Sequence, residues 1–128
     1  RHAPNALALA NMRLARVLLA AGQPAEALER CDTALTTATL GPLRAGCHVV
    51  RGLAALSLSN HDEALVSADA ALDASGEDKQ LRAYAFAIRG VALVALGRTN
   101  EGRDALGQAT TLLPDDPNVR MLAEQAGV

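Results

Sequence analysis

The sequence predicts an all-α protein built from helical hairpins that repeat three times, and three observations support that prediction. Ala and Leu, which are strong helix formers, dominate the composition. The aromatic or β-branched runs that strands favour are missing, since the aromatic residues are limited to Tyr84 and Phe86. Equivalent residues return at a regular interval, with Gly or Pro where one helix would end and the next would begin.

The repeat becomes visible when the chain is aligned with itself. Ala34, Ala71 and Ala109 recur at nearly equal intervals along the chain. The same two offsets relate three further columns, which are Ala27, Ala64 and Gly102; Gly22, Ser59 and Gly97; and Ala15, Gly52 and Gly90. Because one register aligns all four columns, we divide the chain into repeats of about 5–41, 42–79 and 80–116.

Each repeat is predicted to contain two helices joined by a tight turn. The first helices are expected at about 5–21, 42–58 and 80–96, and the second helices at about 24–38, 61–75 and 99–113. A last helix is expected at about 117–126, with Asp116 as its N-cap and Pro117 at its first position. Val119 and Leu122 recur in it at helical spacing, so this helix is predicted to cap the exposed end of the stack.

Small residues recur in the middle of the predicted helices. We expect the column of Ala15, Gly52 and Gly90 to face the column of Ala27, Ala64 and Gly102, where the two helices of each hairpin cross closely. Glycine in a helix interior costs about 0.5–1 kcal/mol relative to alanine, so two mid-helix glycines need a packing reason.

The pattern resembles that of the tetratricopeptide repeat (TPR) family over nearly the whole chain. The third copy fits the motif columns best, through Phe86, Gly90, Leu93, Gly97, Leu106, Ala109 and Pro114. The usual repeat of the family is shorter, at about 34 residues, and the additional residues here fall in the links between hairpins. The resemblance implies a right-handed α-α superhelix of three repeats plus a capping helix. We expect one such domain over residues 1–128, within a longer protein.

The resemblance also implies a concave groove lined by the first helices, which are nearly apolar all round. A helix that is apolar on every side is normally buried on every side. The family geometry places eleven residues in this predicted groove, with Arg16 as its one basic edge: Leu9, Met12, Arg16, Leu19, Val49, Leu53, Leu56, Tyr84, Ala87, Val91 and Val94. We expect a protein partner to cover the groove with an apolar or amphipathic segment.

Several alternatives to that partner remain open at the sequence level. A second copy of the protein or the remainder of its own chain could cover the groove, or tight curvature could close it. If another copy is the occupant, the chain is a self-assembling structural unit, joined through the groove or the solenoid ends. Binding of a hydrophobic small molecule is a further, weaker alternative.

Composition argues against other classes of partner. The formal net charge is −2 and Lys79 is the only lysine, whereas a nucleic-acid surface needs clustered basic residues. No run approaches eighteen uninterrupted apolar residues, so no membrane insertion is expected. The chain lacks a phosphate-binding loop, an HExxH motif and a nucleophile elbow. We therefore expect neither an enzyme nor a cofactor.

Two arginines recur in one column and invite a functional interpretation. Arg51 and Arg89 occupy equivalent positions in the second and third repeats. They could contact a ligand, but we favour ion pairs within each hairpin, with Asp69 as the partner of Arg51 and Asp104 as the partner of Arg89.

The histidines and cysteines are expected to be structural. His48 is predicted to pack in the core, His61 to be exposed, and His2 to lie in a ragged terminus. Cys31 and Cys47 form no CxxC pair, so we expect no metal site and interpret them as small buried apolar residues. A disulfide between them stays open because they fall on neighbouring helices. A cytoplasmic location is favoured.

Overall fold

The computed structural model describes residues 3–127 and contains, within them, seven helices and no strand. The predicted all-α class is therefore confirmed, and each helix end lies within two residues of its expected position. The helices are α1 (Ala3–Ala20), α2 (Pro24–Thr37), α3 (Gly41–Ser57), α4 (His61–Ala74), α5 (Lys79–Ala95), α6 (Thr99–Leu112) and α7 (Pro117–Ala126).

The turn inside each hairpin has the same backbone geometry. Gly22, Ser59 and Gly97 occupy one repeat column and have φ angles of 79°, 57° and 84°. In each case the next amide donates back into the first helix, as Arg98 does to the carbonyl of Leu93 at 2.8 Å. This is the left-handed C-cap that glycine favours, and it reverses the chain in a few residues.

Side-chain caps and prolines start several of the helices. Asp78 caps α5 by accepting a hydrogen bond from the amide of Leu81 at 2.9 Å. Asp116 caps α7 as predicted, because its carboxylate accepts from the amides of Asn118 and Val119, both at 3.1 Å. Prolines stand in the first turns of α2, α3 and α7, where no intrahelical amide donor is needed.

The helices pair in chain order as α1 with α2, α3 with α4, and α5 with α6. Between hairpins, α2 packs on α3 and α4 packs on α5, while α1, α3 and α5 also touch in succession. The last helix, α7, packs mainly against α5. The largest core cluster spans α3 to α7, and two smaller clusters join α1, α2 and α3.

The closest helix crossing lies in the third hairpin, between Gly90 and Gly102. A Cβ atom added to Gly90 would lie 2.9 Å from the carbonyl oxygen of Gly102 and 2.5 Å from Cγ of Leu106. This crossing was predicted. Gly52 behaves differently, because the nearest atoms to an added Cβ belong to Ile88, at 3.1 Å, and not to Ala64. Gly52 therefore makes room for the first helix of the following hairpin.

Candidate partner-binding surface

Four of the eleven predicted groove residues are buried in the core. Val49, Leu56, Ala87 and Val91 are 5%, 7%, 0% and 5% exposed, and all four belong to the largest core cluster. They belong to the packed interior rather than to an open surface, and this corrects their expected place in the groove. They are buried because each first helix packs against the next, α3 against α5 and α5 against α7.

The α5 end of the predicted groove is covered by the chain itself. Tyr84 is half-buried, and its hydroxyl donates to Oδ1 of Asp116 at 3.4 Å, next to the start of α7. Val119 and Leu122 of α7 are buried in the same cluster as Ala87 and Val91. Val94 points elsewhere, because its Cγ2 packs onto Gly102 of α6. The groove is thus no open strip across all three hairpins.

Five predicted groove residues remain on α1 and α3, and we call them the inner face: Leu9, Met12, Arg16, Leu19 and Leu53. Arg16 is exposed and the other four are half-buried. Met12 reaches α3, since its Sδ lies 2.9 Å from the position that a Cβ of Gly46 would occupy. A partner-binding role for this face stays a prediction.

Arg51 and Arg89 form ion pairs, but with other partners than predicted. Arg51 lies 2.7 Å from Asp32 and 2.9 Å from Glu63, and it also donates to Ser67. Arg89 lies 3.0 Å from Asp69. The predicted pairs of Arg51 with Asp69 and of Arg89 with Asp104 are therefore wrong. Each arginine reaches back from a first helix to an aspartate on the second helix of the preceding hairpin, so these pairs join hairpins.

A second arginine column joins the same hairpins. Arg44 donates to the carbonyls of Leu35 and Ala38, at 3.1 and 2.9 Å, and so caps the C-terminal end of α2. Arg82 donates to the carbonyl of Gly76 beyond the end of α4, at 3.3 Å. Cations are favourable at helix C-termini. The recurrence of Leu-Arg-Ala at equivalent positions of the second and third repeats was the sequence signal for this column.

The two described histidines lie in α3 and α4. His48 is half-buried, and burial together with Arg44 and Arg51 lowers the pKa of its imidazole. His61 is half-buried rather than exposed, and His2 lies outside the described residues. Within residues 3–127 no cluster of His, Cys, Asp and Glu could hold a metal ion.

Both cysteines are buried and unpaired in this structure, which confirms their interpretation as small apolar residues. Burial raises the pKa of the Cys31 thiol to about 12 and that of the Cys47 thiol to about 11. Both thiols therefore stay protonated near neutral pH, where only a thiolate would react readily.

Two surface depressions lie away from the inner face. One, of about 600 Å³, lies along α2 and is lined by charged and polar side chains from Glu26 to Thr33. The other, of about 640 Å³, lies between α5 and α6 beside Arg82, Phe86 and Gly107. Neither contains a predicted groove residue. No helix within residues 3–127 combines the length and the apolar character that a membrane span requires.

Comparison with known proteins supports the fold. No family model matches the chain, and no curated protein matches it. A solved structure does match: the crystal structure of a TPR-like protein from Chlorobium tepidum TLS at 2.54 Å resolution. It superposes with a TM-score of 0.84 at 24% sequence identity, covering 96% of this chain and 91% of that one. The chain therefore has the TPR-like fold, an all-helical stack of repeated hairpins, that its internal repeats predict.

Proposed function

We propose that this chain is a protein-interaction module whose inner face binds an apolar or amphipathic segment of a protein partner. Helix α7 shows how an amphipathic helix packs along a first helix, since it lies against α5 as α3 lies against α1. Val119 and Leu122 of α7 are buried there, while Arg120 and Glu124 face outward. The observation that carries the proposal is that the inner face on α1 and α3 keeps apolar side chains only half-buried, beside the exposed Arg16.

The chemistry of the inner face indicates what would fit it. Leu9, Leu19 and Leu53 supply apolar area that is only half-buried. Burying such area contributes about 25 cal/mol per Å². Arg16 is exposed at the edge and would pair with a carboxylate of the partner. The expected partner segment therefore carries apolar side chains at helical spacing and an acidic residue beside them.

Selection from a displayed library of random peptides tests this proposal. We expect enriched peptides to share apolar residues at helical spacing. The double variant Leu9→Asp/Leu53→Asp should bind them at least about tenfold more weakly, which corresponds to about 1.4 kcal/mol. Val91 is unsuitable for this test because it is a core residue.

Val66→Asp is the matched control, since Val66 is 61% exposed on α4 and lies away from the inner face. It should bind the selected peptides like the unmodified protein. Circular dichroism of all variants checks that helical content is unchanged. Undiminished binding by a folded Leu9→Asp/Leu53→Asp variant would contradict the proposed surface.

We further propose a non-catalytic role with no nucleic-acid partner. The formal net charge of −2 argues against a nucleic-acid partner, as do the ion pairs that Arg51 and Arg89 form between hairpins. The two buried unpaired thiols are consistent with the cytoplasmic location expected from the sequence.

A further inference from the structure

Helix α1 carries a second apolar surface, separate from the inner face. Leu7, Leu14 and Val17 are 58%, 40% and 64% exposed. Together with exposed alanines they form a stripe in which successive residues are alternately four and three positions apart. We call this stripe the outer seam: Ala3, Leu7, Ala10, Leu14, Val17 and Ala21. An average spacing of about 3.5 residues is that of a seam between two packed helices.

The equivalent face of the other first helices is covered. Ala10 corresponds to Cys47 in α3 and Ala85 in α5, and both of these residues are fully buried. In α3, Cys47 clusters with Ala34 and Ala38 at the end of the preceding second helix. The fold therefore already shows what this face accepts, which is a helix laid along it.

The same columns show that a helix covering this face of α1 would have to differ from α2 and α4. Leu7 stands in the column of Arg44 and Arg82, and Leu14 stands in the column of Arg51 and Arg89. Where one hairpin packs on the next, Arg44 and Arg82 donate to carbonyls at the end of the covering helix. Arg51 and Arg89 form ion pairs with an aspartate of that helix. A helix like α2 would bury its aspartate against Leu14 without a partner, which is costly. The helix that fits must be apolar at that position.

The charge beside the outer seam indicates which side chains would suit the flanks of such a helix. Arg13 lies next to Leu14, beside the outer seam, and α1 contains no acidic residue. No ion pair joins Arg13 to another residue in the described part of the chain. Two copies pairing their seams antiparallel, with Leu7 opposite Val17, would place the two Arg13 side chains close to each other beside the two-fold axis, which passes near Met12. Like charges at such positions are destabilising, whereas carboxylates would be attracted.

We propose that the outer seam binds an amphipathic helix of a partner protein that is apolar along its own seam and carries carboxylates beside Arg13. The partner presents large side chains opposite Ala3 and Ala10 and small ones opposite Leu7 and Leu14. This surface shares no residue with the inner face, so failure of one proposal would leave the other untouched.

A synthetic peptide of three heptads tests the proposal, with Leu and Ala alternating along its seam and Glu at the flanking positions. Its companion has Lys in place of every flanking Glu. Fluorescence anisotropy should show binding of the Glu peptide to the whole chain, and binding of the Lys peptide at least about tenfold weaker. Val17→Glu should weaken binding of the Glu peptide by a similar factor, and Arg13→Ala should weaken it several-fold.

Two control variants locate the contact. Val66→Glu lies on α4 and Leu53→Asp on the inner face, and both should bind the Glu peptide like the unmodified protein. Failure of the Glu peptide to bind, or equal binding to Val17→Glu, would overturn the proposal. So would a concentration-dependent dimer in light scattering that Val17→Glu abolishes, because the occupant would then be a second copy.

Discussion

At the scale of single residues, His48 is an unusual occupant of its position. The other repeats place Asn11 and Phe86 in this column. Nδ1 of His48 is buried without a hydrogen-bond partner among the described residues. Burial lowers the pKa of the imidazole, Arg44 and Arg51 lower it further, and Asp32 opposes them only in part. Folding therefore favours the neutral form of this imidazole.

The consequence is a loss of stability as the pH falls. The unfolded chain takes up a proton on His48 near the ordinary pKa of about 6.5, whereas the folded chain does so only at lower pH. Stability is therefore unaffected by this group above that pH and decreases below it. We expect the melting temperature to fall between pH 7.5 and pH 5.5 because of this group.

Thermal denaturation of His48→Phe, which restores the residue type of the third repeat, should show a smaller decrease. A decrease that persists in His48→Phe would show that another group causes it.

At the scale of helices, the glycine pair in the third hairpin sets how closely α5 and α6 cross. An added Cβ at Gly102 would lie 2.5 Å from Cγ2 of Val94 and 2.9 Å from the carbonyl oxygen of Gly90. The carbonyl oxygen of Gly90 belongs to the backbone of α5 and cannot rotate away as a side chain could. An added Cβ at Gly102 would therefore force α5 and α6 apart. Gly107 lies in the same helix α6 and has no atom within 4 Å of an added Cβ.

Replacing glycine with alanine should have opposite effects at the Gly90–Gly102 crossing and at Gly107. Gly102→Ala and Gly90→Ala should each lower the free energy of unfolding by about 1–3 kcal/mol, through overpacking. Gly107→Ala should raise it by about 0.5–1 kcal/mol, because alanine is the better helix former. Urea denaturation measures all three. A stabilised Gly102→Ala would mean that α5 and α6 are not held at this distance.

The helices and hairpins also differ in how well their features could be predicted from the sequence. The helix ends, the cap at Asp116 and the Gly90–Gly102 crossing were predictable because each depends on neighbours within one hairpin or one helix. The partners of Arg51 and Arg89 were not, since they depend on how one hairpin stacks on another. The burial of Val49 and Val91 was missed for the same reason, together with the position of α7.

At the scale of the whole molecule, the core is unevenly distributed along the stack. Helix α1 buries only Ala8 and Ala15, whereas α3 and α5 bury eight residues each. The largest fully buried side chains include Ile88, Leu93 and Val119, all in the second half of the chain. In a stacked-repeat fold, stability is roughly the sum of each repeat and its neighbouring interfaces. The N-terminal hairpin should therefore open most easily.

Hydrogen exchange of backbone amides measures this gradient directly. We expect amides in the middle of α1 to exchange at least about tenfold faster than those in the middle of α5, because little apolar area is lost when α1 opens. The Glu peptide proposed for the outer seam should slow exchange in α1 of the unmodified protein, by binding only its closed form. It should not do so in Val17→Glu. Equal protection of α1 and α5 without peptide would mean that the stack opens as one cooperative unit, despite its uneven core.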